Sequence, residues 1–115
     1  MYALNFYPEL YAEALRTHRK TVTIRLGDKS YKYREGELVW VTVGPRFGLR
    51  QKLYTAVIDR VELKTIGDLS RRDIERENPE FRTPEDVRNL LQRIYNEQIS
   101  LEHLVTVIHF SAVQE

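Results

Sequence analysis

The segment Arg19-Lys20-Thr21-Val22-Thr23-Ile24-Arg25 places an ammonium, two hydroxyls and two guanidinium groups within seven residues. Arg25 can fork onto a carboxylate or a phosphate, and a threonine hydroxyl can donate to or accept from a carbonyl or a base edge. Arg19 and Thr21 stand beside them as candidate ligand contacts. The ordinary explanation is an exposed strand face of Thr and Arg with a solvated basic corner, and taken alone the segment favours it.

Two further places bear on chemistry. Glu77 precedes Asn78-Pro79. A proline disfavours helix at the residue before it, so Glu77 falls at a helix C-terminus, where a carboxylate faces the negative end of the dipole. Arg71, Arg72 and Arg76 compensate for it in the bland reading. In the second place, Gly44 to Arg50, Arg46 and Arg50 flank Phe47, with Lys52 close behind. Cations beside an exposed aromatic suit a phosphate with a stacked base. A hairpin tip with Phe47 folded into the core accounts for the loop equally well. His103 and His109 lack the partner spacing of a metal site and are expected to be structural, so no metal or cofactor is expected. Asp59 is expected to be buried with an arginine partner; Tyr95 can line the cleft, but core packing is the expected role.

These residues need elements to hold them. Met1 to Tyr7 is a short apolar strand candidate, and Pro8 suits the first turn of a helix on which Tyr11, Ala14 and Leu15 share a face. Thr21 to Leu26 alternates, with Val22, Ile24 and Leu26 on one side, which predicts a strand with one buried face. Tyr31 to Tyr33 is a brief extended piece and Glu35-Gly36 a turn. The apolar run Leu38 to Val43 predicts a strand covered on both faces. Lys52 to Leu63 is a long strand with Leu53, Val57, Val61 and Leu63 on one face and Tyr54, Ala56 and Ile58 on the other. Ser70 and Thr83 are helix caps, the second followed by Pro84, Glu85 and Asp86. Val87, Leu90, Leu91 and Ile94 then mark one helical face, and Leu104 to Phe110 is a last strand. Helices do not alternate regularly with strands, so this order fits a small, partly closed barrel better than a parallel sandwich.

Composition narrows the classes. The 115 residues suffice for one domain, 1–115. With 18 Lys+Arg against 17 Asp+Glu the net charge is +1, so any basic surface is local. The cysteine count of 0 excludes disulfides, thiolate zinc sites and cysteine nucleophiles. The chain carries no apolar run of membrane-spanning length and no signal-peptide pattern; the expected compartment is the cytoplasm.

Lys-Thr-Val-Thr-Ile-Arg at 20–25 resembles the Lys-Thr-x-Thr-x-Arg signature of ASCH domains, a family of the PUA-like superfold. The similarity continues through the preceding helix, the apolar strand after Gly36-Glu37, the long strand, Glu-x-Glu-Asn at 75–78, and the closing Val-Thr-Val-Ile-His-Phe strand. Two positions depart from it. His18 stands where a glycine is usual before the basic pair, and the later turn is Gly36-Glu37 where Gly-Asp is usual.

The resemblance implies an α+β fold: a PUA-like, partly closed barrel of five or six strands with three or four helices and a cleft beside the signature strand. It implies binding of RNA or a nucleoside there, by Lys20, Thr23, Arg25 and Glu77, with Arg46, Phe47, Arg50 and Lys52 as a track for the backbone of a nucleic acid. One small bacterial branch of the family removes the acetyl group of N(4)-acetylcytidine. By position its active residues correspond to Lys20 as base, Thr23 as nucleophile or water-polarising group, and Glu77 as proton relay or ligand-positioning group. The chemistry has two requirements. Burial or Arg25 must lower the lysine from its ordinary value of about 10.4, against the opposing effect of Glu77. Lys20 must also lie before the strand proper, or a bulge must intervene, since residues three apart on a regular strand point to opposite faces. A protein–protein adaptor using the 44–50 loop is the third class of function that the sequence allows.

Overall fold

A computed structural model describes residues 1–114. Its elements are β1 (Ala3–Phe6), α1 (Pro8–Arg16), β2 (Val22–Leu26), β3 (Leu38–Val43), β4 (Gln51–Thr65), a 3₁₀ turn (Ile66–Asp68), α2 (Arg71–Glu77), α3 (Pro84–Tyr95) and β5 (Leu104–Ala112). The strands form one sheet in the order β1-β3-β4-β5-β2, in which only β1 and β3 run parallel. The sheet curls into a half-barrel of the α+β class, with β1 and β2 as its two edges. No helix among the described residues is long and apolar enough to cross a membrane.

Local chemistry sets the helix ends. Ser70 caps α2 by accepting from the Asp73 N–H at 3.1 Å, and Thr83 with Asp86 forms a reciprocal capping box on α3. Helix α1 ends in a Schellman turn: the Arg19 N–H donates to Ala14 O at 2.8 Å and the His18 N–H to Leu15 O at 3.0 Å. That turn needs a left-handed residue, and His18 supplies it at φ 58°. The departure from glycine at this position is therefore met by an imidazole that packs edge-on against Tyr54, centroids 4.7 Å apart.

The sheet has two covered faces. Inside the curl, Leu4, Phe6, Val39, Val41, Ala56, Ile58, Ile108 and Phe110 pack with Tyr11 and Leu15 of α1. On the outside, α2, α3 and the 3₁₀ turn cover only the β2–β5 half, where Val22, Ile24, Val105 and Val107 meet Ile66, Ile74, Val87 and Leu91.

This division corrects several expectations. Strand β2 is buried on both faces at its start: Val22 and Ile24 lie under the helices, while Thr23, 2% exposed, faces inward. Conversely, the outer face of β3 is covered only at its end: Leu38 and Trp40 are each 45% exposed, whereas Thr42 is buried and its hydroxyl donates to Asn5 Oδ1 at 2.9 Å. In β4 the register shifts between Ile58 and Arg60, leaving Asp59 as a bulge. The bulge flips the later residues, so Val61 joins Ile58 against the inner core instead of sharing the face of Val57. Asp59 itself is exposed and accepts from the Ser111 hydroxyl at 3.1 Å; no arginine among the described residues partners it. A second shift, between Val41 and Thr42, bulges Leu53. Tyr31 to Tyr33 is a turn, not an extended piece, and the Tyr33 hydroxyl donates to Ala3 O at 2.9 Å.

Candidate functional site

Lys20 lies two residues before β2, so it and Thr23 are not bound by the alternation of a regular strand. It is 3% exposed. Its ammonium donates to Val22 O at 2.8 Å, to Glu77 O at 2.5 Å and to the Glu77 carboxylate through Oε2. The other carboxylate oxygen, Oε1, accepts from the Ile24 N–H at 3.2 Å. Alternate residues of a strand turn their N–H and C=O to the same side. Val22 and Ile24 turn theirs to the unpaired edge of β2, and there the Lys20–Glu77 pair supplies the partners that a sixth strand would otherwise provide. The ammonium also sits 4.2 Å from the centroid of the Tyr11 ring. Burial pushes the Lys20 ammonium below the ordinary lysine value, and Glu77 pulls against that shift.

Arg25 bridges the gap between the two sheet edges. Its Nη2 donates to Asn5 O of β1 at 3.1 Å, its Nε donates to Thr23 Oγ1 at 3.1 Å, and its guanidinium lies 4.9 Å from the Phe6 ring centroid. The candidate cleft is this unclosed seam. An inner cavity of about 70 Å³ is lined by Thr23, Glu77 and Tyr11 together with Leu90, Leu91 and Ile94 of α3. It shares Asn5, Tyr7, Arg25, Ile94 and Tyr95 with an outer cleft of about 270 Å³. Five cations line the outer cleft (Arg25, Lys29, Lys32, Arg46 and Arg50), with Tyr7, Tyr31, Tyr33 and Tyr95 and no Asp or Glu. On the far side of Glu77 and Tyr11, a separate cavity of about 370 Å³ opens between α1 and α2.

The residues singled out in the sequence divide accordingly. Thr23, Arg25 and Glu77 line the inner cavity, while Lys20 stands behind it and lines the far cavity. Lys20 makes no hydrogen bond to Thr23 among the described residues. Arg19 is exposed on the far side and donates to Thr17 Oγ1 at 2.9 Å. The carbonyl of Thr21 serves the sheet by accepting from Phe110 N at 2.9 Å, and Thr21 lines none of these cavities. Arg46 and Arg50 reach the outer cleft. Phe47 is not folded into the core; it is 87% exposed beneath the Arg46 guanidinium, 5.4 Å away. Lys52 points elsewhere, over the Trp40 ring at 5.7 Å.

Tyr95 does both things open to it: partly buried, it packs against the outer core, and it lines the cleft with Arg46 5.8 Å from its ring centroid. It ends α3, one residue past Ile94, where the apolar stripe turns towards the seam. The stretch Lys29-Ser30-Tyr31-Lys32-Tyr33, expected only as a brief extended piece at 31–33, lines the cleft through Lys29, Tyr31, Lys32 and Tyr33. It carries the same basic and aromatic interleaving as the 44–50 loop, and that was the available signal. Tyr11 carries the single buried side-chain N or O atom without a hydrogen-bond partner among the described residues, its hydroxyl oxygen. Burial and the neighbouring Glu77 carboxylate hold that phenol far above the ordinary tyrosine range.

No family model matches the sequence, and no curated protein matches it. Solved structures do match. A protein of Enterococcus faecalis described by the family model DUF984 superposes with a TM-score of 0.65 at 17% identity, covering 88% of this chain and 68% of that one. An ASCH domain from Lactobacillus crispatus superposes with a TM-score of 0.61 at 17% identity, covering 88% of this chain and 69% of that one. Together with the five-stranded mixed half-barrel and its three α-helices, these likenesses give the chain the fold of an ASCH domain.

Proposed function

We propose that the protein is an ASCH-family domain that binds a nucleotide unit, free or as part of single-stranded RNA, in the seam between β1 and β2. One observation carries this reading: five cations and four tyrosines converge on one cleft that contains no carboxylate. Cations without acidic neighbours attract an anion, and tyrosine faces beside arginines accept a stacked base. The volume, about 270 Å³ outside and about 70 Å³ inside, suits one nucleotide rather than a folded nucleic acid. Phosphate contacts fall to Arg46, Arg50, Lys29 and Lys32 in the mouth. The inner cavity offers the Thr23 hydroxyl to the edge of the base.

The deacylation of N(4)-acetylcytidine draws less support from the same geometry. A general base must reach the proton that it removes. The Lys20 ammonium instead directs its protons at Val22 O, Glu77 O and the Glu77 carboxylate. Titration calorimetry with 5′-mononucleotides and a short single-stranded RNA tests the binding reading, and affinity is expected to fall steeply with salt. Wild-type protein that binds neither overturns it. Release of cytidine from N(4)-acetylcytidine, abolished by Lys20→Ala and Thr23→Ala, replaces it with the hydrolase.

A further inference from the structure

A second group of polar residues lies outside the cleft and is independent of it. Glu62 of β4, Asp73 of α2 and His109 of β5 each offer one ligand atom, all within 4.8 Å of one another. The His109 Nε2 stands 3.3 Å from Glu62 Oε1 and 3.9 Å from Asp73 Oδ1. Ligand atoms around a tetrahedral ion with bonds of about 2.0–2.2 Å stand about 3.4 Å apart, so the two separations from His109 are near the edges of such a site, and the carboxylates, within 4.8 Å of each other, would close on the ion.

The second observation concerns Asp73. Its residue is 6% exposed, yet its carboxylate accepts no hydrogen bond among the described residues; its charged neighbours are Lys64 at 3.7 Å and His109 at 3.9 Å. As the third residue of α2, Asp73 has the position from which an acidic side chain usually reaches back to the N-cap N–H, as Asp86 does on α3. Asp73 instead turns its carboxylate to the cluster, where its partners are the longer ion pairs to Lys64 and His109. The remaining charges are accounted for. Glu62 Oε2 faces Arg60 at 3.0 Å and Lys64 at 3.5 Å, which leaves Oε1 for the cluster.

We propose that Glu62, Asp73 and His109 form a binding site for a divalent transition-metal ion that takes mixed nitrogen and oxygen ligands, Zn²⁺ or Co²⁺ in type. Imidazole with carboxylates is a donor set for such ions and not for Mg²⁺. Lys64 is the built-in competitor, an ammonium on a flexible stem that neutralises the carboxylates when no ion is bound. The ion would hold the first turn of α2 to β4 and β5. Asp73 and Glu77 are four residues apart and share one face of that helix, so the ion would also steady the helix that carries Glu77.

The test uses the metal alone on chelator-treated protein. Zn²⁺ at a hundredfold excess over Kd is expected to raise Tm by about 5 °C or more. Co²⁺ is expected to give tetrahedral visible absorption, and Mg²⁺ neither effect. Lys64→Ala, which removes the competitor, is expected to tighten Zn²⁺ binding several-fold. His109→Ala is expected to weaken it by at least the ten- to hundredfold typical of outer-shell partners. Absence of both the Tm shift and the Co²⁺ spectrum in wild type and in Lys64→Ala overturns the site. Binding that survives His109→Ala at full strength overturns it equally, by showing that the ion sits elsewhere.

Discussion

The floor and the mouth of the cleft use positive charge in opposite ways. Behind the floor that Glu77 lines, Lys20 is buried and bonded to three acceptors, one of them the Glu77 carboxylate. At the mouth, Arg25, Lys29, Lys32, Arg46 and Arg50 form no salt bridge to a carboxylate among the described residues. The floor cation completes a strand edge and so belongs to the fold. The mouth cations, apart from Arg25, which also spans the seam, have no structural partner of opposite charge and are available to a ligand. Mutations in the two places should therefore separate stability from affinity.

The largest effect is expected at the floor. Glu77→Ala leaves a buried ammonium without its carboxylate and the Ile24 N–H without an acceptor. Breaking one partner of a buried pair costs about 3–5 kcal/mol, which for a chain of this size lowers Tm by at least about 12 °C. Replacing both partners by apolar residues, Lys20→Met with Glu77→Leu, is expected to recover the part due to the unpaired charge but not the part due to the Ile24 N–H. Thermal unfolding measures both. If the single variant melts within 2 °C of wild type, the floor is not structural and the contrast with the mouth disappears.

The mouth should behave in reverse. Arg46→Ala and Arg50→Ala are each expected to weaken nucleotide binding about tenfold, the loss of one charge-assisted contact. Stability should stay within about 0.5 kcal/mol of wild type, as for exposed substitutions elsewhere. Arg25→Ala should do both, because its guanidinium also joins the edges of β1 and β2. Parallel calorimetry and melting curves give the comparison; a mouth variant that loses stability without losing affinity breaks it.

How far the sequence disclosed this arrangement depended on whether the cause was local. Ser70, Thr83 and Pro84 announce helix starts because a cap is satisfied within three or four residues. The bulges at Leu53 and Asp59 follow from registers set by β3 and β5 across the sheet, so the parity of Val61 was misassigned. Thr23 and Arg25 were legible as an unusual polar strand face, but not as an inward-turned one. That depends on the helices lying over Val22 and Ile24. Glu77 and Lys20 each stand out locally, one by breaking a rule at a helix C-terminus and one in a basic cluster, but their pairing across 57 residues came only through the family resemblance. His109 gave no metal-like spacing because the residues beside it come from two other elements, at 62 and 73.

A pH series refines the floor with a smaller effect. Burial holds the Lys20 ammonium below its ordinary value of about 10.4. Between the folded value and the ordinary one, the unfolded chain binds a proton that the folded chain has released. Stability contributed by this group therefore rises with pH across that interval and is lost as pH falls through the folded value. Urea unfolding of wild type and of the Lys20→Met/Glu77→Leu variant from pH 7 to 10 should show the wild type gaining on the variant as pH rises. A constant difference would mean that Glu77 holds the lysine at its ordinary value.

The smallest change concerns the hydroxyl between the two regions. Tyr11 packs edge-on against Phe6 and lies beneath the Lys20 ammonium, so its ring belongs to the floor. Among the described residues its hydroxyl has no hydrogen-bond partner, although it is buried. A buried polar group left unbonded costs about 1–3 kcal/mol, and removing it while keeping the shape recovers part of that. Tyr11→Phe preserves the ring, its contact with Phe6 and the face that it presents to Lys20. The expected result is a stability equal to wild type or greater by up to about 1 kcal/mol, read as a Tm unchanged or raised by a few degrees. A clear loss of stability would mean that the hydroxyl bonds to the neighbouring Glu77 in solution. The floor would then be a three-membered network of lysine, glutamate and tyrosine, and the cost assigned to Glu77→Ala would have to be shared with it.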